Sequence, residues 1–169
     1  MTKRHAEIAG AGFAGLTTGT ALAQRGWSVR VHERAPEARE FGAGIWTWEN
    51  GLRVLNNIGA ADEAFEGNLV VPSWESRDKN GKIIDHFPMG DHETGGRLLC
   101  ITRQQLHGAV LNAAIASGVE LVTRSRAISA TPEGELIIEG GKSYKADLVV
   151  AADGINSAIR ESLGLLKHR

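Results

Sequence analysis

One stretch narrows the fold more than any other. Gly10-Ala11-Gly12-Phe13-Ala14-Gly15 directly follows the short apolar run Ala6 to Ala9 and opens Phe13 to Arg25, where small and apolar residues recur at helical spacing. In a G-x-G-x-x-G so placed, the first glycine permits a sharp turn and the second admits a pyrophosphate close to the backbone. The third lets helix and strand pack tightly. Gly26 follows the helix and Trp27 to His32 reads as a second strand, so the opening is a βαβ unit. Gly15, Gly19 and Leu22 share one helical face, and two missing side chains there allow close approach to a sheet. Glu33 ends the second strand, where a carboxylate suits the ribose hydroxyls of an adenine dinucleotide. The helix amino end adds N–H groups and a positive dipole end for phosphates. The competing reading is a glycine-rich turn with an incidental surface glutamate.

Beyond this unit, Gly42 to Trp48 looks extended, and Asn50 is placed to cap a helix carrying Leu52 and Leu55 and stopping at Gly59. Trp46 and Trp48 alternate on one side of that segment, with core packing as their simplest role. A second short helix is expected near Asp62 to Phe65. Leu69 to Arg77 and Lys82 to Phe87 flank Asn80-Gly81, a hairpin signal in which both turn residues tolerate positive φ. Leu98 to Ile101 reads as a strand, and Thr102-Arg103-Gln104-Gln105 as a capping box for a helix to about Ser117, ending at Gly118. Val119 to Thr123 is a strand candidate, and Arg126 to Thr131 pairs with Leu136 to Glu139 around Pro132-Glu133-Gly134. Ala146 to Ala152 is apolar apart from Asp147, as for a strand buried on both faces. Asp153-Gly154 ends it, and a helix over about Ser157 to Leu163 closes at Gly164.

Composition removes several classes. With 19 Lys+Arg against 20 Asp+Glu, both signs scattered, neither a nucleic-acid footprint nor a membrane-adhesive face is expected. The longest uncharged stretch, Ile8 to Gln24, is too short and too polar to span a bilayer. Lys3-Arg4, the following apolar run and Ala21-Leu22-Ala23 imitate a secretory signal, but Glu7 interrupts the would-be core. Cys100 is the single cysteine, which fits a reducing cytoplasm and, within an apolar strand, reads as inert burial. The six histidines form no metal-ligand spacing, His86 and His92 being separated by a loop-like stretch, so no metal is expected.

On the glycine fingerprint with Glu33-Arg34, "FGAGIWTWENGLRVL" from Phe41 to Leu55, "ITRQQLHGAVLNAA" from Ile101 to Ala114, and "ADLVVAADGINSAIR" from Ala146 to Arg160, the chain resembles the class A flavoprotein aromatic monooxygenases of the p-hydroxybenzoate hydroxylase fold. The resemblance covers nearly the whole length. The Phe41 to Leu55 segment looks closest to the subgroup of 2-methyl-3-hydroxypyridine-5-carboxylate oxygenase and the hydroxynicotinate hydroxylases. It implies an α/β fold: a Rossmann-like FAD-binding domain over residues 1–169 with a parallel sheet, a crossover antiparallel β ribbon and a β-hairpin inserted at about 69–88. FAD is the implied cofactor, NADH or NADPH the reductant, and a small aromatic or hydroxypyridine-type molecule the substrate.

Carried over residue by residue, the resemblance implies that Gly10, Gly12, Phe13, Ala14 and Gly15 form the pyrophosphate loop and that Glu33 holds the ribose, with Arg34 beside the adenine. Ile45 would meet the cofactor through its backbone, Arg103 would reach the phosphate and ribityl region, Ala127 would lie on the adenine side, and Asp153 and Gly154 would contact the dinucleotide. A guanidinium offers a planar fork of donors to a pyrophosphate; the lesser alternative for Arg103 is a surface ion-pair partner, and Asp153 could also cap the helix that follows it. No catalytic acid, base or nucleophile stands out. Full-length members continue into a substrate domain, so the chain is expected to be their FAD-binding portion, completed by a second polypeptide where one is supplied. Two other readings remain: a catalytically silent dinucleotide-binding module, and an NAD-dependent dehydrogenase domain.

Overall fold

The computed structural model describes residues 3–38, 42–91 and 93–164. Phe41 and His92, named above, and the chain after Gly164 lie outside the described residues. In chain order the elements are β1 (His5–Ala9), α1 (Phe13–Ala23), β2 (Ser28–His32), β3 (Gly44–Trp48), α2 (Glu49–Ile58), α3 (Ala61–Phe65), β4 (Leu69–Val70), β5 (Ser73–Arg77), β6 (Ile83–Pro88), β7 (Leu98–Thr102), α4 (Arg103–Ala116), β8 (Glu120–Val122), β9 (Ala127–Ala130), β10 (Glu135–Ile138), β11 (Ser143–Lys145), β12 (Leu148–Ala151) and α5 (Ala158–Ser162). They group into two compact units, Met1–Glu40 with Val110–Arg169, and Phe41–Ala109.

The first unit holds a four-stranded sheet in the order β12-β1-β2-β8, in which β1 runs parallel to both β12 and β2, and β2 parallel to β8. The βαβ reading is therefore correct, and it explains the buried Ala6, Ile8, Ala9, Val29 and Val31 of the two inner strands. Gly19 of α1 sits over them: a Cβ there would already lie 3.4 Å from the Val29 and Val31 side chains and 3.5 Å from Ile8. β12 departs from expectation: only β1 pairs with it, and Leu148 is 37% exposed, so it is an edge of this sheet and not a strand covered on both faces. A second, antiparallel sheet of order β11-β10-β9 packs Leu136 and Ile138 against Ala9 and Ile159. Its third strand, β11, is short, and the three residues Ser143-Tyr144-Lys145 are too few for their alternation to announce it.

The second unit contains the antiparallel sheet β3-β7-β4 and the separate ribbon β5-β6. The expected strand Leu69 to Arg77 is broken in two. Pro72 has no N–H to donate, so the pairing changes there: β4 joins β7, while β5 joins β6. At the hairpin tip only Gly81 takes a positive φ (+83°), and Asp78 Oδ1 accepts from the N–H groups of Asn80 and Lys82, so a longer Asp78-centred loop replaces the two-residue turn. The Thr102 cap is present, its hydroxyl accepting from Gln105 N–H at 3.1 Å. Trp46 and Trp48 are 56% and 46% exposed, which overturns a core role for the pair; Trp46 instead meets Trp74 edge-on at 5.1 Å. Cys100 is half-buried, not sealed in a core.

α2 begins one residue before the expected Asn50 cap. Trp48 caps it through extended backbone alone, and Glu49 takes the first helical position. The reason is an ion pair: Arg97 donates Nε–H and an η-nitrogen hydrogen to Glu49 at 2.9 and 3.0 Å, and its backbone N–H at 3.2 Å. These hydrogen bonds hold the Glu49 carboxyl well below the ordinary 4.5, at about 2. A depressed carboxylate contributes stability that is complete above the unfolded pKa and lost as pH falls through the folded one. We expect Glu49→Gln to destabilise this unit by about 1–2 kcal/mol at neutral pH. The difference from wild type should shrink between pH 4.5 and about 2 in urea melts followed by circular dichroism. A difference that stays constant down to pH 2 would contradict it.

Candidate functional site

At the carboxyl ends of β1, β2 and β12 the first unit encloses a cleft of about 340 Å³, inside the range of roughly 300–1,000 Å³ usual for small-molecule sites. Four stretches far apart in sequence line it: Ala9 to Gly12, His32 to Ala35, Ser125 to Ala127, and Ala152 to Gly154 with Asn156 and Ala158. Ligands bind open α/β sheets at this edge because loops there diverge and leave a crevice.

The glycine loop is held to both neighbouring strand ends. Gly10 N–H donates to His32 carbonyl at 2.7 Å, and Ala152 N–H to Ala9 carbonyl at 2.9 Å. Gly10 has φ +98°, and a Cβ on it would lie 2.3 Å from Ala152 carbonyl oxygen. A Cβ on Gly15 would lie 1.9 Å from Gly10 carbonyl oxygen. Only glycine fits either place, so the loop packs tightly against the end of β12 and the start of α1. Gly12 is the N-cap of α1, with no side-chain cap hydrogen bond and no acidic residue in the first turn to offset the helix's positive end.

Glu33 is fixed from two sides. Its Oε2 accepts from Ala11 N–H at 3.0 Å and its Oε1 from Ala35 N–H at 2.8 Å. Each oxygen keeps a second lone pair for an outside donor, which is what two vicinal hydroxyls require. Arg34 is exposed on the cleft wall and Ala127 starts β9 beside it. Asp153 accepts from Ser157 Oγ at 2.6 Å and from Ile159 N–H at 3.3 Å, while Ser157 caps α5 by accepting from Arg160 N–H at 3.0 Å. The capping role foreseen for Asp153 is thus real, and Gly154, at φ +94°, turns the chain along the cleft.

Of the residues named from the sequence, Gly10, Gly12, Glu33, Arg34, Ala127, Asp153 and Gly154 line this one cleft. Phe13, Ala14 and Gly15 form the first turn of α1 just behind it. Ile45 and Arg103 belong to the second unit: Ile45 pairs with Ile101 across β3 and β7, and Arg103 N–H donates to Ala43 carbonyl at 3.2 Å. Sequence reasoning missed Ser125 and Arg126, which carry no motif of their own, Asn156, which lies in the Asp-Gly string without having been singled out, and His32. It also gave Glu7 no role beyond breaking the apolar run. Glu7, 1% exposed, is the centre of a buried network: His32 Nε2 lies 2.7 Å from Oε2, and His5 Nε2 and the Arg30 guanidinium lie 2.8 and 3.0 Å from Oε1. Burial pushes the Glu7 carboxyl up, but hydrogen bonds from His32 and His5 and the charges of His32 and Arg30 outweigh it, leaving the group below the ordinary carboxylate range. Among the described residues no group of His, Cys, Asp and Glu could hold a metal ion, and no helix is long and apolar enough to cross a membrane.

Known proteins resemble this chain in sequence and fold. The chain is 45% identical over its whole length to a probable 2-heptyl-3-hydroxy-4(1H)-quinolone synthase from Rhodococcus erythropolis, of which it covers 44%. Over 96% of its length it is 32% identical to a 6-hydroxynicotinate 3-monooxygenase from Pseudomonas fluorescens, covering 46% of that protein. The solved tetrameric form of 2-methyl-3-hydroxypyridine-5-carboxylic acid oxygenase superposes with a TM-score of 0.89 at 42% identity, over 97% of this chain and 43% of that one. The chain therefore spans under half the length of these relatives. The hydroxypyridine resemblance read from Phe41 to Leu55 is upheld, and quinolone synthases join it. The family described as FAD binding domain matches residues 4–168, which sets the dehydrogenase reading aside. On that match, the chain belongs to the FAD binding domain family of the flavin monooxygenases, with FAD as its cofactor.

Proposed function

We propose that this chain is the FAD-binding portion of an NAD(P)H-dependent monooxygenase that hydroxylates or oxygenates a small aromatic ring of the hydroxypyridine or quinolone kind. The observation that carries the reading is the single cleft in which the glycine loop, Glu33 and Asp153-Gly154 meet. Gly10 to Gly12 and the amino end of α1 receive the pyrophosphate through backbone N–H groups and the helix dipole. The free lone pairs of Glu33 take the ribose hydroxyls, Arg34 and Ala127 flank the adenine, and Asp153-Gly154 closes the far wall. Ile45, through its backbone, and Arg103, toward the phosphate and ribityl region, join the assignment on the strength of the family resemblance. FAD held there supplies a two-electron store for a nicotinamide's hydride and, once reduced, reactivity toward dioxygen.

Hydroxylation also needs a dry pocket over the reacting ring. The chain corresponds to 43–46% of its relatives, so we assign the substrate-covering part to a further polypeptide segment or a complementing one. The single cysteine supports a cytoplasmic setting. The test is to purify the chain, titrate it with FAD, and follow NADH and NADPH oxidation with hydroxypyridine and quinolone substrates. Retained flavin without coupled hydroxylation is the expected result. Steady hydroxylation by the chain alone contradicts its being a portion, and failure to retain flavin contradicts the cofactor assignment.

A further inference from the structure

The buried network beneath the cleft has a direction. Glu7 lies at its inner end, His32 in the middle and Ser125 at the cleft. His32 Nε2 is 2.7 Å from Glu7 Oε2 and its Nδ1 is 2.7 Å from Ser125 Oγ; the three residues are 1%, 1% and 6% exposed. Both ring nitrogens are thus engaged, one by a carboxylate that can only accept and one by a hydroxyl that can do either. The imidazole has no freedom to turn. Tyr144 covers it at 4.9 Å between ring centroids, with Arg30 stacked on the Tyr144 ring at 5.0 Å and Lys142 at 4.9 Å. Glu7 itself is tethered by Arg30 and His5, and Arg30 also by Glu120. A buried polar chain satisfied at every member rigidifies what lies at its end.

What lies at its end is the wall on the adenine side. Ser125, Arg126 and Ala127 are consecutive in that wall, and Ser125 N–H donates to Glu33 carbonyl at 2.8 Å. The residue before Ser125 is Arg124, at φ +52°, the one described non-glycine residue with positive φ. A strained residue beside a binding wall persists where the surroundings hold it, and here the Ser125 side chain and backbone are each pinned, to His32 and to Glu33. We propose that His32 is a positioning residue for the adenosine half of the dinucleotide. It acts through Ser125, whose hydroxyl it orients and whose segment it holds against β2 at the Glu33 corner. The inference rests on the FAD reading of the cleft and adds two residues that neither the glycine fingerprint nor the Asp-Gly corner includes.

The test uses flavin fluorescence to measure FAD affinity of the full chain and its variants, with thermal melts alongside. Ser125→Ala removes one hydroxyl and is expected to weaken FAD binding about tenfold, the size of one hydrogen bond. His32→Gln sets an amide near the Nε2 position, keeping Glu7 partnered but leaving Ser125 alone, and should weaken binding to the same extent. The double variant should be no weaker than either single one, because both remove the same link. His32→Asn sets its amide near the Nδ1 position and should recover most of the affinity lost in His32→Gln, while melting lower because Glu7 loses a partner. A Ser125→Ala chain that binds FAD as tightly as wild type overturns the inference, as do losses that multiply in the double variant. Wild type that binds no FAD overturns the cofactor reading of the cleft and this inference together.

Discussion

Gly10→Ala should leave a chain that neither folds stably nor holds FAD. Two independent costs fall on the same atom. A φ of +98° is a glycine conformation, costing other residues about 1–3 kcal/mol. The new Cβ would also stand 2.3 Å from the Ala152 carbonyl oxygen, a backbone atom that cannot swing aside. Moving it means shifting the start of the Asp153-Gly154 corner, for a further overpacking cost of about 1–3 kcal/mol. A destabilisation of about 3 kcal/mol or more is a large share of any domain's margin. Gly26→Ala is the control: its φ is +84°, but nothing lies within 4 Å of the added Cβ. That variant should pay only the conformational cost and keep its FAD affinity. Urea melts and flavin titration of the two variants decide between them. Equal losses in both would show that the crowding at Ala152 is not what makes Gly10 necessary.

The second large effect is on affinity and leaves the fold in place. Glu33→Ala removes two acceptors at once, each already oriented by a backbone N–H, from Ala11 and from Ala35. A hydrogen bond to a charged group is worth about 1.5–3 kcal/mol, so FAD affinity should fall about a hundredfold. Glu33→Gln, which keeps one acceptor and the shape, should fall between. The same carboxylate ties the glycine loop to the end of β2, so melting should drop slightly in both variants. FAD binding that is unchanged in Glu33→Ala would remove the ribose from that corner.

Much of this cleft was legible before the structure because its signals are local. The turn, helix and second strand around Gly10 are written in consecutive residues, and the Asp-Gly corner is a contiguous string. Their convergence follows from parallel topology, which brings the carboxyl ends of β1, β2 and β12 side by side. What escaped was long-range or depended on what surrounds an element. The network around Glu7 was not legible because its partners His32 and Arg30 are brought to it only by folding. Ser125 carries no motif, and its place follows from two pairings made at the Glu33 corner. Pro72 divides a run that alternation alone makes continuous. Trp46 and Trp48 have the right period for one face, yet period says nothing about whether that face is covered. β12 is apolar enough for a central strand, but a position in the sheet order is not a property of four residues.

The adenosine diphosphate half of FAD is proposed to lie in the cleft at the strand ends. A crystal structure of the chain grown with FAD tests it most directly. The expected result is the diphosphate against Gly10 to Gly12, the ribose hydroxyls on Glu33, the adenine beside Ala127, and Asp153-Gly154 along the far side. An ordered flavin nucleotide bound elsewhere on the chain, with this cleft closed by its own side chains, would contradict it.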